Sequence, residues 1–165
     1  FITLFITPAL AQNSEEYVAI LTAELDTTVD PHARIDLKIQ IEEVRYNMDA
    51  DAGKLMAKEA HSVNHFEAEG KCLGNVGFIL SREGKRDEAI EYYHQALDIY
   101  RITGSGPGIA GVYNDLAGIY SDINELEFAL EYYETSLLIY TDLQDSFGMA
   151  MVSHNIASQY LQAED

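Results

Sequence analysis

The chain has 165 residues, 47% of them apolar, which is room for one ordinary domain with a sizeable buried core. Ten Lys+Arg against 28 Asp+Glu give a formal net charge of −18, and every Lys and Arg lies between Arg34 and Arg101. Such a surface repels phosphate backbones, which argues against nucleic-acid binding by this segment; it favours a basic or cationic partner, or serves only to keep the protein soluble.

The chain opens "FITLFITPALAQ". The run is too short to span a bilayer, which takes about 20 residues. Apolar residues followed by Ala9-Leu10-Ala11, with an abrupt polar switch at Gln12, have the form of the tail of a secretory signal peptide over 1–11. The expectation is an exported protein, in the periplasm or cell envelope. Residues 12–69 follow as amino-terminal helices. Ser14-Glu15-Glu16 starts one with Tyr17, Leu21 and Leu25 on one face. Asp30-Pro31 starts the next, an acidic cap followed by proline. Within it Ile35, Leu37, Ile39 and Ile41 alternate as in a strand. The Pro31 start and the later Val44 favour helix. "ADAGKLMAKEAHSV" supplies a partner helix, with Ala57 and Ala60 as small packing residues. Residues 31–64 therefore read as a degenerate repeat whose register the sequence leaves open.

From residue 70 the chain repeats itself. "EAIEYYHQALDIY" at 88–100 returns as "FALEYYETSLLIY" at 128–140. Val76, Leu116 and Ile156 share the same forty-residue register, as do Gly77, Ala117 and Ala157. Cys72 matches Val112 and Val152, which marks it as a small buried hydrophobe; a single cysteine forms no internal disulfide. Each copy holds two helices. Leu73, Val76 and Leu80 have the i, i+3, i+7 spacing of one helical face, and Ala89, Ile90, Tyr93, Ala96, Leu97 and Tyr100 line the second helix. Gly84 and Asn124 stand at the break between helices, where a left-handed residue closes the first. Small residues at Ala89, Ala96, Ala129 and Ser136 let the paired helices approach, and the helically spaced tyrosines belong to the core. Each hairpin leaves an apolar flank that the next must cover. Repeats thus occupy 70–109 and 110–149, and 150–165 is the first helix of a further one. Its missing partner helix suggests a longer natural protein.

Small Gly77, Ala89 and Ala96, large Leu80 and Tyr93, and the turn glycine Gly84 resemble the tetratricopeptide repeat family. The usual unit has about 34 residues. The extra six are expected in the connectors "RITGSGPGIA" and "TDLQDSFGMA", as in the 40-residue variant of bacterial regulators, with its Asn75-x-Gly77 first helix and Gly108-x-Ala110 start. Ser136 and Asn124 depart from the usual Ala and Gly, and no Trp stands where Leu73 and Tyr113 do. The resemblance implies an all-α, right-handed α–α superhelix of helical hairpins that binds a protein or peptide along a concave groove lined by first helices. Those positions are Lys71, Gly74, Asn75, Phe78 and Arg82, then Asn114, Asp115, Gly118, Ser121 and Asp122, then His154, Asn155 and Ser158. Asn114 and Asn155 suit a ligand's backbone, since an amide both donates and accepts. Asn75, Asp115 and Asn155 equally suit capping or bridging of neighbouring helices. Lys71 and Arg82 are the only cations in this lining, which does not match the family's basic clamp for a carboxyl terminus.

Other chemistry is thin. His61-x-x-x-His65 puts two imidazoles on one helical face but lacks a third ligand, so it reads as a solvated face and not a metal site. "GSGPG" at 104–108 has no following Lys-Ser/Thr and is a connector. No Ser-His-Asp or Cys-His set is present, and neither an enzymatic role nor a cofactor is assigned. The reading is a recognition scaffold. The alternative is the extracytoplasmic input domain of a bacterial sensor, with a membrane anchor and an output domain beyond Asp165.

Overall fold

The computed structural model describes residues 14–45 and 49–163. Within them lie the helices α1 (Ser14–Thr27), α2 (Pro31–Arg45), α3 (Ala50–Ser62), α4 (Phe66–Arg82), α5 (Arg86–Thr103), α6 (Gly106–Asp122), α7 (Leu126–Asp142) and α8 (Ser146–Ala163), and no strand. They form an all-α solenoid. None is long and apolar enough to cross a membrane. The signal-peptide reading of 1–11 lies outside the described residues.

The expected long connectors are absent. Arg101–Thr103 belong to α5 and Gly106 already begins α6, so only Gly104 and Ser105 join two repeats. Pro107 sits in the first turn of α6, where its missing N–H is no loss. The long period is taken up by helices of 17 and 18 residues, and the first helices begin at 66, 106 and 146. One joint recurs throughout. Asn64, Gly84, Gly104, Asn124 and Gln144, twenty residues apart, all have positive φ. After each, an N–H reaches back five residues: His65 to Ala60, Lys85 to Leu80, Ser105 to Tyr100, Glu125 to Tyr120 and Asp145 to Tyr140, all at 2.9 Å. This is the Schellman closure, which satisfies orphan carbonyls at a helix end.

Asn64 fixes the register that the sequence left open. Met56, Ala57 and Ala60 of α3 stand forty residues before Ala96, Leu97 and Tyr100, so α3 is a second helix, packed on α4. The alternating isoleucines of α2 are helical. Leu37 and Ile41, four apart, bury against Leu21 of α1, while Ile35 and Ile39, also four apart, enter the main core with Ala50 and Met56. Two interleaved i, i+4 stripes on a helix covered from both sides imitate a strand. Asp30 caps α2 by accepting from the Ala33 N–H at 2.8 Å.

Tyr100, 7% exposed, is held between Gly70 of α4 and Gly108 of α6. Tyr140 meets Gly148 of α8 in the same way. Where α3 carries Ala60 at the tyrosine position, the matching glycine is Ala68. Ring and glycine therefore form one packing unit between successive repeats. Ser136 is fully buried and donates to the Ala110 carbonyl at 2.7 Å, so the departure from Ala is satisfied. Cys72 is fully buried, and burial pushes its thiol up to about 12.

Candidate partner-binding groove

Helices α2 and α4 border a groove of about 620 Å³, lined by Glu42, Glu43, Asn75, Phe78, Ile79, Arg82 and Glu83. Of the positions expected from the first clear repeat it brings together Asn75, Phe78 and Arg82, while Lys71 and Gly74 are not in its lining. Asn75, Phe78 and Arg82 project from one face of α4, at i, i+3 and i+7. Phe78 is 49% exposed. The Arg82 guanidinium lies 5.7 Å from its ring centroid, a cation–π distance. Lys71 pairs with Glu43 across the groove at 2.9 Å, and Glu83 with Lys85 at 2.8 Å. The acidic wall from α2 escaped the sequence reading because that helix had no register; the run Glu42-Glu43 near its carboxyl end was the available signal.

The later repeats use their groove positions differently. Asn155 of α8 donates to the Asn114 Oδ1 of α6 at 2.9 Å, and Asn114 donates weakly to Asp115 at 3.4 Å. Asp115 also accepts from the Tyr93 hydroxyl of α5. Burial raises its carboxyl to about 6; the bonds from Asn114 and Tyr93 oppose that rise without cancelling it. Gln159 donates to Ser121 at 2.6 Å and makes a second α6–α8 bridge that the sequence reading missed. Bridging of neighbouring helices, not an open amide, is thus the observed state of Asn114, Asp115 and Asn155. Gly74 has nothing within 4 Å of an added Cβ, so the wall is open there, whereas Gly118 approaches the Tyr133 hydroxyl. Asp122 and His154 are exposed, and Ser158 folds back onto the His154 carbonyl at 3.0 Å.

His61 and His65 do not share a helical face. α3 ends at Ser62, so His65 stands at the N-cap position of α4, with no side-chain bond to that helix's end. It stacks on His32 at 4.7 Å and pairs with Asp36 at 2.8 Å, while His61 pairs with Glu69 at 3.0 Å. The left-handed Asn64 turns the two rings apart. Among the described residues no group of three His, Cys, Asp or Glu is placed to hold a metal ion. Tyrosine splits by position: Tyr93, Tyr100, Tyr133 and Tyr140 are buried, and Tyr160 is 55% exposed.

The sequence profile of the tetratricopeptide repeat matches residues 70–142. Protein FLUORESCENT IN BLUE LIGHT, chloroplastic, of Arabidopsis thaliana is 32% identical over 82 residues, 50% of this chain and 26% of that protein. The uncharacterized protein ycf37 of Guillardia theta is 30% identical over 76 residues, 46% of this chain and 42% of its own length. The matched stretch thus spans less than half of either relative. Among solved structures, BtubC (BKLC) from P. vanneervenii superposes with a TM-score of 0.63 at 22% identity, over 95% of this chain and 65% of that one. A putative kinesin light chain from Podosopora anserina, with nearly identical TPR-like repeats, gives 0.59 at 16% identity, over 93% and 81%. At these identities the likeness speaks for the fold.

Proposed function

We propose that this chain, whose residues 70–142 match the tetratricopeptide repeat profile, is a protein-interaction scaffold holding a partner segment in the α2–α4 groove. The observation that carries the reading is Phe78: a large apolar ring half in solvent, in a concave site, beneath a cation and between carboxylates. An exposed aromatic of this kind gains free energy when a partner covers it. The rim of Glu42, Glu43 and Glu83 favours a segment with Lys or Arg beside an apolar side chain. The absence of Lys and Arg after Arg101 extends that preference along the solenoid. Recognition here is burial and charge complementarity, without bond chemistry.

Selection from a displayed library of random peptides tests it. The expected consensus is an apolar residue flanked by basic ones, with binding weakened by salt and by Phe78→Ser. Phe78 is exposed enough for that change to leave the fold intact. Peptides that bind the Phe78→Ser variant as tightly as the parent would remove the groove assignment.

A further inference from the structure

On the far side of α4 from Phe78, Glu69 and Leu73 belong to a second groove, of about 560 Å³, between α3 and α5. Its α3 rim is Lys54, Lys58 and His61, at i, i+4 and i+7 on one helical face. In a chain of net charge −18 this is a local reversal of sign. Glu69, the carboxylate in the lining, is bonded to His61. Lys54 touches Asp51 only at 3.3 Å and holds its ammonium 5.6 Å from the Tyr92 ring centroid. Lys58 is exposed and makes no ion pair among the described residues.

The repeat explains why the groove is open at this place. Forty residues on, Lys54, Ala57, Lys58 and His61 become His94, Leu97, Asp98 and Arg101. There Leu97, 1% exposed, fills volume that Ala57 leaves free. Arg101 turns onto the Tyr113 hydroxyl at 3.2 Å and onto Asp98 at 3.3 Å. The second copy bonds its cation to a neighbouring helix through Tyr113, whereas in the first Lys58 faces solvent and Lys54 lies half-buried over Tyr92.

We propose that the α3–α5 groove binds an extended acidic peptide segment of a protein partner, with carboxylates at alternate positions. Lys54 and Lys58 are separated by about 6 Å along the helix, four residues at about 1.5 Å each. Side chains two apart on an extended chain are separated by about 6.6 Å and point the same way. Carboxylates at positions i and i+2 therefore reach both ammonium groups at once. The intervening side chain faces Tyr92 and Gln95 on the α5 wall, and the peptide's apolar surface covers Ala57 and Leu73. The site is independent of the α2–α4 groove and of its partner.

The test is fluorescence anisotropy of the whole chain with a fluorescein-labelled Gly-Glu-Leu-Glu-Gly peptide at low and physiological salt. Binding should fall at least tenfold in the double variant Lys54→Glu/Lys58→Glu, at one half-buried and one exposed position, with the fold checked as intact by circular dichroism. It should fall equally for a Gly-Gln-Leu-Gln-Gly peptide, and should survive Arg82→Glu, which changes the net charge by the same sign in the other groove. Millimolar inorganic phosphate should compete only weakly, since one anion cannot bridge both lysines as a peptide does. Undetectable binding, insensitivity to the lysine reversals, an equal loss with Arg82→Glu, or displacement by phosphate as effective as by peptide would each overturn the proposal.

Discussion

Gly108→Ala puts an added Cβ 2.6 Å from Cδ1 and Cε1 of Tyr100. Ordinary carbon contacts lie at about 3.5–4.0 Å, so the ring must move by roughly an ångström. It has nowhere to go. Tyr100 is 7% exposed, and its other side rests on Gly70, where an added Cβ would lie 2.7 Å away. Overpacking of this kind costs about 1–3 kcal/mol. Alanine returns about 0.5–1 kcal/mol of helix propensity. The expected net loss is about 1–2 kcal/mol, steric strain outweighing propensity. Tyr100→Ala alone removes a buried ring, at about 3–5 kcal/mol. In that background the strain is gone, and Gly108→Ala should now stabilise by about 0.5–1 kcal/mol. The chain already contains the relieved pair, Ala60 with Ala68, one repeat upstream. Equilibrium urea denaturation of the parent, both single variants and the double variant, followed by far-ultraviolet circular dichroism, measures the coupling, expected at about 1–3 kcal/mol. An unchanged Gly108→Ala penalty in the Tyr100→Ala background would refute the pinched-ring argument.

Three further outcomes are expected. The Asp115 carboxyl is raised to about 6, so the native state holds its proton more tightly than the unfolded one and its contribution to stability declines as pH rises through 4–6. Asp115→Asn should therefore gain on the parent by about 1 kcal/mol between pH 5 and 7.5 in paired urea titrations, and a constant difference would remove Asp115 as the cause. Gln144 is the one joint residue that is neither Gly nor Asn, at φ 56°; Gln144→Gly should raise stability by about 0.5–1 kcal/mol, where a loss would show that its side chain contributes more than the strain. Cys72, fully buried with its thiol at about 12, should resist alkylation by iodoacetamide at pH 8 until denaturant is added; rapid native labelling would contradict the packing around it.

The forty-residue period, the two helices per copy and their inward faces were legible from residue 70 onward, because each repeat meets only its neighbours and spacing along the chain maps directly onto burial. Asn75, Phe78 and Arg82 were expected at a groove because the repeat resemblance implies that first helices line one; helical spacing adds only that the three share a face. Tertiary structure decided what spacing cannot express. It showed that the long period lengthens helices instead of connectors, because a five-residue backbone closure turns the chain within three residues. It showed that α2 buries two faces, which made its helical sequence look like a strand. It gave Asn114, Asp115 and Asn155 to bridges between repeats, since their partners lie some forty residues away or on a different helix. And it opened the α3–α5 groove, which depends on Ala57 standing where the next repeat has Leu97: the absence of a side chain acquires meaning only once the helices around it are in place.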